Sequence, residues 1–214
     1  MTRSRDAAIA CQVASHLLSY PDESFQTRLP LLADAVASLS AGPARAGFER
    51  FLAHVTATAA RDLAEHYVST FDRRRRCCLY LTWWTDGETR RRGHALATLK
   101  ERYRLGGLEL GNRELPDYLP VVLEYAATGD LADGLAVLQE QRAGLELLRI
   151  ALEEGGSPYS DVVAGVCSLL PGPSPRDRAA AMQLARVGPP QEMVGLEPFA
   201  VTPVGTGSEG TPHR

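Results

Sequence analysis

From Asp6 to Leu170 the apolar residues of this chain recur every three or four positions, and they scarcely alternate with polar ones. That spacing gathers them on one face of an α-helix, whereas a half-buried strand needs a period of two. Ile9, Val13, Leu17 and Tyr20 form the first stripe, which Asp6 is placed to cap and Pro21 to stop. Asp22 opens a second stripe through Phe25, Leu29, Leu32 and Val36, with Pro30 expected to bend or restart it. Phe48, Phe51, Leu52 and Val55 mark a third, and Leu63, Tyr67, Val68 and Phe71 continue or follow it. Arg90 to Arg104 carries Leu96, Leu99 and Tyr103, with Gly106-Gly107 as its stop. Asp117 can cap the next helix, which runs from Tyr118 through Leu119, Val122, Leu123 and Ala126. Its Pro120 lies in the first turn, where a missing N–H does little harm. Asp130 to Glu154 is the longest pattern and Pro158 to Leu170 the last strong one, while Cys77 to Trp83 is the one strand candidate. The patterning predicts an all-α, single helical-bundle-like domain of six to eight helices over residues 1–170.

Past Leu170 the character changes. Residues 171–214 hold eight of the fourteen prolines and six of the nineteen glycines, so this stretch is expected to be a largely flexible tail. A short helix from Asp177 to Val187 is the exception the pattern allows.

Several function classes drop out on composition. With 23 basic and 26 acidic residues the formal charge is -3, which lacks the basic excess of a nucleic-acid binder. No apolar run approaches the ~18 residues of a membrane span, so no direct membrane insertion is expected. The N-terminal residues show no signal-peptide pattern, and the expected location is the cytoplasm. Cys77 and Cys78 are adjacent while Cys11 and Cys167 are remote, so no C-x-x-C pair exists and free thiols are expected. The five histidines fall in no Glu-x-x-His or His-Glu-x-x-His arrangement, and no phosphate-loop or nucleophile-elbow motif occurs. No motif therefore supports catalysis or metal ligation.

The near-neutral total conceals two blocks, net +5 over residues 61–104 and net -8 over residues 105–170. The runs Arg73-Arg74-Arg75-Arg76 and Arg90-Arg91-Arg92 suit an oxyanion site or, equally, a solvated face whose arginines pair with nearby acids. An all-helical anion- or cofactor-binding protein built on those clusters is therefore an alternative reading. A helical transcription regulator is a further one, opposed by the net-neutral first 60 residues. The run Leu79 to Trp84 fits either core or an aromatic edge for peptide contact. Glu114 to Tyr125 combines two prolines, a capping aspartate and the carboxylates Glu114, Asp117 and Glu124, which could present acids to a basic peptide.

Four ordered motifs then carry a resemblance: Tyr67-Val68-x-Thr70-Phe71-Asp72; Leu79-Tyr80-Leu81-Thr82; Gly87-x-Thr89-Arg90-x-Arg92-Gly93-x-Ala95-Leu96-x-x-Leu99-Lys100-x-x-Tyr103; and Glu114-Leu115-Pro116-Asp117-Tyr118-Leu119-Pro120-x-x-Leu123-Glu124-Tyr125. In these the chain resembles the NarJ family, delta-type assembly chaperones of respiratory nitrate reductase within the TorD-like redox-enzyme maturation chaperones. The resemblance runs from His16 to about Leu170. It implies an all-helical cytoplasmic chaperone, not an enzyme, with no catalytic residues, no metal ligands and no stably bound cofactor, that binds the N-terminal region of the apo catalytic (alpha) subunit. That subunit would be held until the molybdenum cofactor, bis-molybdopterin guanine dinucleotide, is inserted, with cofactor biosynthesis proteins as further partners. The chaperone would not remain a subunit of the mature enzyme. Carried over residue by residue, the resemblance assigns client binding to Tyr80, Arg90, Gly93, Glu114, Leu115, Pro116, Asp117, Tyr118, Leu119, Pro120, Leu123 and Glu124. A helix-in-groove mode would want an apolar trough with a charged rim, and the acidic block could steer a leader peptide bearing Arg or Lys.

Overall fold

A computed structural model of the chain describes residues 2–87, 89–111 and 114–187. Within them lie eleven α-helices: α1 (Thr2–Leu17), α2 (Glu23–Ser38), α3 (Pro43–Ala57), α4 (Ala60–Tyr67), α5 (Leu81–Asp86), α6 (Arg90–Leu105), α7 (Leu119–Thr128), α8 (Leu131–Glu140), α9 (Arg142–Glu154), α10 (Tyr159–Cys167) and α11 (Arg178–Val187). A π-helical turn over Val68–Asp72 extends α4, and a short 3-10 turn covers Arg75–Cys77. No strand occurs among the described residues, so the all-α expectation holds; the one ladder contact is an isolated antiparallel bridge between Tyr80 and Tyr118.

The helix count exceeds the six to eight expected, for local reasons. The long pattern from Asp130 breaks at Gln141, because α8 turns its apolar side to α7 while α9 turns its own to α5 and α10. Residues 81–83, the end of the strand candidate, instead coil into the start of α5. Pro30 neither stops nor restarts α2, whose buried stripe of Phe25, Leu32 and Val36 runs through it. Asp22 caps α2 through a 2.9 Å bond from the Phe25 N–H, and Asp130 caps α8 by accepting from Asp133 N–H at 3.0 Å.

Two expected caps are absent. Helix α1 begins before Asp6, whose carboxylate instead accepts the Ser40 N–H at 3.2 Å and ties α1 to the end of α2. Asp117 does not cap α7; the residue before α7 is Tyr118, and the aspartate side chain accepts instead from Thr82 in the first turn of α5.

Helix α1 is the axis of the bundle. Its small residues Ala10, Cys11 and Ala14 are buried together with Val13, Leu17 and Leu18, and α7, α10, α2 and α3 pack around it. Ser15 donates to the Pro120 carbonyl at 2.8 Å, joining α1 to the first turn of α7. Close approach is written into glycines: a Cβ at Gly134 would lie 2.4 Å from Ala126 Cα, so α8 meets α7 backbone to backbone. Phe48, Phe51, Leu63, Leu119, Leu123, Leu145, Leu148 and Tyr159 complete the core.

Beyond Leu170 the chain first crosses α9. Arg142 donates to the carbonyls of Pro171 and Gly172, and Arg149 donates to that of Pro175 at 2.7 Å. Buried Glu146 lies between the two arginines. Helix α11 then packs on α9, where Ala181 meets Leu147 and Ile150 beside Trp84. Residues 188–214 of the expected flexible tail lie outside the described residues.

Candidate functional site

The four motifs converge on one short segment, Pro116 to Leu119. Leu81 N–H donates to the Asp117 carbonyl at 2.9 Å and Leu119 N–H to that of Leu79 at 2.8 Å, so the two motifs are zipped antiparallel. The rings of Tyr80 and Tyr118 face each other at 5.3 Å. The Tyr118 hydroxyl bonds that of Tyr67 at 3.0 Å, and Tyr67 donates on to the Leu18 carbonyl. From α6, the Tyr103 hydroxyl donates to the Pro116 carbonyl at 2.6 Å.

Asp117 closes this knot from within. It is fully buried, and its Oδ2 accepts the Thr82 hydroxyl at 2.5 Å, the Thr82 N–H at 3.3 Å and Arg92 Nη2 at 3.4 Å. Arg92 Nε also donates to the Thr82 hydroxyl, and its guanidinium lies 6.0 Å from the Trp83 ring centroid. A cation in the first turn of α6 opposes the helix dipole; Arg92 finds its compensation in Asp117 rather than in solvent. Burial raises the Tyr80 phenol above its ordinary range, and the charge of Glu114 raises it further.

Beside the knot runs a groove of about 500 Å³, lined by Tyr103, Leu108, Glu109, Leu110, Gly111, Glu114, Val121, Glu124 and Tyr125. One wall is the end of α6 and the loop after it, and the other is the exposed side of α7. The Tyr103 and Tyr125 rings stand 4.6 Å apart beneath the leucines and Val121. Burial, helped by a hydrogen bond to Asp133, pushes the Tyr125 phenol up to about 12. Glu109, Glu114 and Glu124 are exposed, and no cation is among the described residues that line the groove. The chemistry on offer is an apolar trough under an acidic rim, suited to a short peptide with apolar and cationic side chains.

The residues assigned from the sequence therefore separate. Glu114 and Glu124 line the groove. Pro116, Asp117, Leu119, Pro120 and Leu123 are buried and build the support beneath it, while Tyr80 and Tyr118 are half-buried in the knot. Leu115 is exposed, and Arg90 and Gly93 sit on the exposed start of α6, outside the groove lining. Sequence reasoning missed Tyr103, Leu108, Glu109, Leu110, Val121 and Tyr125 as groove residues. The usable signal was the acid-and-leucine alternation of Leu108-Glu109-Leu110 after the double glycine.

The arginine run gives no comparable enclosure. Arg74, Arg75 and Arg76 border a shallow depression with Ala151, Glu154 and Gly155 at the carbonyl end of α9, where the dipole favours cations. Among the described residues no group of three or more His, Cys, Asp or Glu is arranged to hold a metal ion. Cys11, Cys77, Cys78 and Cys167 are free thiols, all but Cys78 buried. No helix of the described residues is long and apolar enough to cross a membrane.

Comparison with known proteins places the chain in a family. The family model described as nitrate reductase delta subunit matches residues 21–164. The "Nitrate reductase-like protein NarX" of Mycobacterium tuberculosis is 38% identical over 159 residues, 74% of this chain but 24% of that protein. The chain thus spans about a quarter of the NarX proteins it matches. The "Probable nitrate reductase molybdenum cofactor assembly chaperone NarJ" of Bacillus subtilis is 32% identical over 74% of this chain and 86% of its own length. The "Nitrate reductase molybdenum cofactor assembly chaperone NarJ" of Escherichia coli is 33% identical over 69% of this chain and 64% of that protein. The match ends before α11, which lies outside the shared region.

Proposed function

Because the chain belongs to the nitrate reductase delta subunit family, we propose that it is a cytoplasmic assembly chaperone for a nitrate reductase. Its client is the apo catalytic subunit, gripped by the N-terminal segment, and the acid-rimmed groove is the grip. The molybdenum cofactor is cargo for the client, inserted while the client is held, with cofactor biosynthesis proteins as partners in delivery. The chaperone works by binding and release and leaves before the enzyme is complete.

The groove between α6 and α7 carries this reading. Its leucines, Val121 and tyrosine rings offer area for the apolar face of a client segment, which supplies most of the affinity. Glu109, Glu114 and Glu124 set orientation and speed encounter with a segment bearing Arg or Lys. Rim carboxylates are solvated, so each contributes modestly and in a salt-dependent way. Asp117, although part of the shared motif, holds the wall up and does not face the client.

Calorimetric titration of the client's N-terminal peptide tests the assignment, comparing wild type with the triple variant Glu109→Gln, Glu114→Gln, Glu124→Gln. Neutralising the rim is expected to weaken binding roughly tenfold at low salt and to flatten its salt dependence. Equal affinity and equal salt dependence would remove the groove from the account.

A further inference from the structure

The groove's two walls belong to elements that share little backbone contact, since α6 leans chiefly on α5. What holds them at a fixed separation lies behind the groove. Arg102, on the turn of α6 before the loop, places Nε at 3.1 Å and Nη2 at 2.7 Å from Asp133, and Nη1 at 2.8 Å from Glu140. Both acids are on α8, which packs on α7. The Tyr125 hydroxyl, at the base of the groove, donates to the same Asp133 carboxylate at 2.8 Å. Gly106 and Gly129 both lie close against the Tyr125 ring: an added Cβ would come 2.6 Å and 2.8 Å from it. The Asp133 carboxyl is held below the usual carboxylate range by the Arg102 hydrogen bond, so the clasp is charged at neutral pH.

From this bracket we propose that Arg102 is the positioning residue of the client groove: it clasps α6 to α8, sets the wall separation and fixes the Tyr125 ring, without touching the client. The proposal rests on the groove being the client site. The planar fork of arginine is what the geometry uses, because one guanidinium reaches two carboxylates along different edges. Lysine keeps the charge but cannot span both acids in the same way. Charge alone therefore does not account for the position, and a charge-conserving change should loosen the groove.

The test compares wild type with Arg102→Lys, Arg102→Gln and Tyr125→Phe, using peptide titration, hydrogen exchange and chemical denaturation. For Arg102→Lys the expected result is about fivefold weaker peptide binding. Exchange should quicken at the bonded amides of Gly106 and Leu108 and along the exposed side of α7, while protection in α1 and α10 stays unchanged. Tyr125→Phe, which keeps the ring and loses its tie to Asp133, should move the same amides by a smaller factor. Arg102→Gln loses the charge as well as the fork, so it should weaken binding at least as much as Arg102→Lys. Peptide affinity unchanged in Arg102→Lys overturns the proposal. So does uniformly faster exchange with a lowered denaturation midpoint, which marks a merely structural ion pair. If wild type binds no peptide, the client reading fails by itself, and the clasp then stands or falls on the exchange at Gly106, Leu108 and α7.

Discussion

Replacing Asp117 separates a supporting role from a client-contacting one, because the side chain lies in the most family-like motif yet is fully buried. Asp117→Asn keeps the shape and removes the charge. Its carbonyl oxygen can still accept from Thr82, but the charge-assisted bonds at 2.5 Å and 3.3 Å become neutral ones. That change costs about 1 kcal/mol per bond. The new NH2 group takes the place of Oδ1, which is buried and has no hydrogen-bond partner among the described residues. Because wild type already leaves that position unsatisfied, the exchange adds little there. The Arg92 contact at 3.4 Å adds least, because about a fifth of that side chain is open to water. The total is about 2 kcal/mol, a sizeable part of the ~5–15 kcal/mol typical of a folded domain. Trp83 and Trp84, the two tryptophans of the chain, directly follow Thr82, so their fluorescence reports the knot itself. Urea titration should show a lower midpoint at unchanged slope. Under conditions where the variant is folded, peptide affinity should stay within about twofold of wild type, since no groove carboxylate has changed. Wild-type stability together with a tenfold loss of binding would refute the reasoning and return Asp117 to the rim.

Glycine positions give a paired prediction. A Cβ at Gly93 meets nothing within 4 Å, so Gly93→Ala should stabilise α6 by about 0.5–1 kcal/mol and leave peptide affinity unchanged; weaker binding would make Gly93 a client contact. Gly134→Ala should instead lose about 1–3 kcal/mol or more in thermal or urea unfolding, because the new methyl meets the α7 backbone. The imidazoles of His16 and His66 are lowered in the fold, chiefly by burial, so their neutral forms are favoured. Their contribution is complete above the ordinary histidine range near 6.5 and is lost as pH falls below it. Stability measured from pH 7 down to pH 5 should therefore decline, and His66→Gln should flatten the decline; an equal slope in that variant would contradict it.

The sequence carried the fold class because helical periodicity is a local property, and Phe25, Val36, Phe48 and Leu148 advertise their buried faces without reference to partners. It also carried the motif order from Tyr67 to Tyr125, and within it Glu114 and Glu124, which do line the groove. Local spacing could not tell whether Asp117 caps a helix or turns inward, since both roles want a short carboxylate before an apolar run. Nor could it show that Tyr103, at the end of one helix, would meet Tyr125 in another and donate to Pro116. Those outcomes depend on how α6, α7 and α8 dock, and docking is set by side chains distant in sequence. Arg102 is the clearest instance: nothing in its local spacing marks it, and it becomes a clasp only when α8 brings Asp133 and Glu140 to its fork. Periodicity thus determined which residues are helical and which faces are buried. Tertiary packing alone decided which charges meet, because a carboxylate's role depends on the cation and the water that folding leaves beside it.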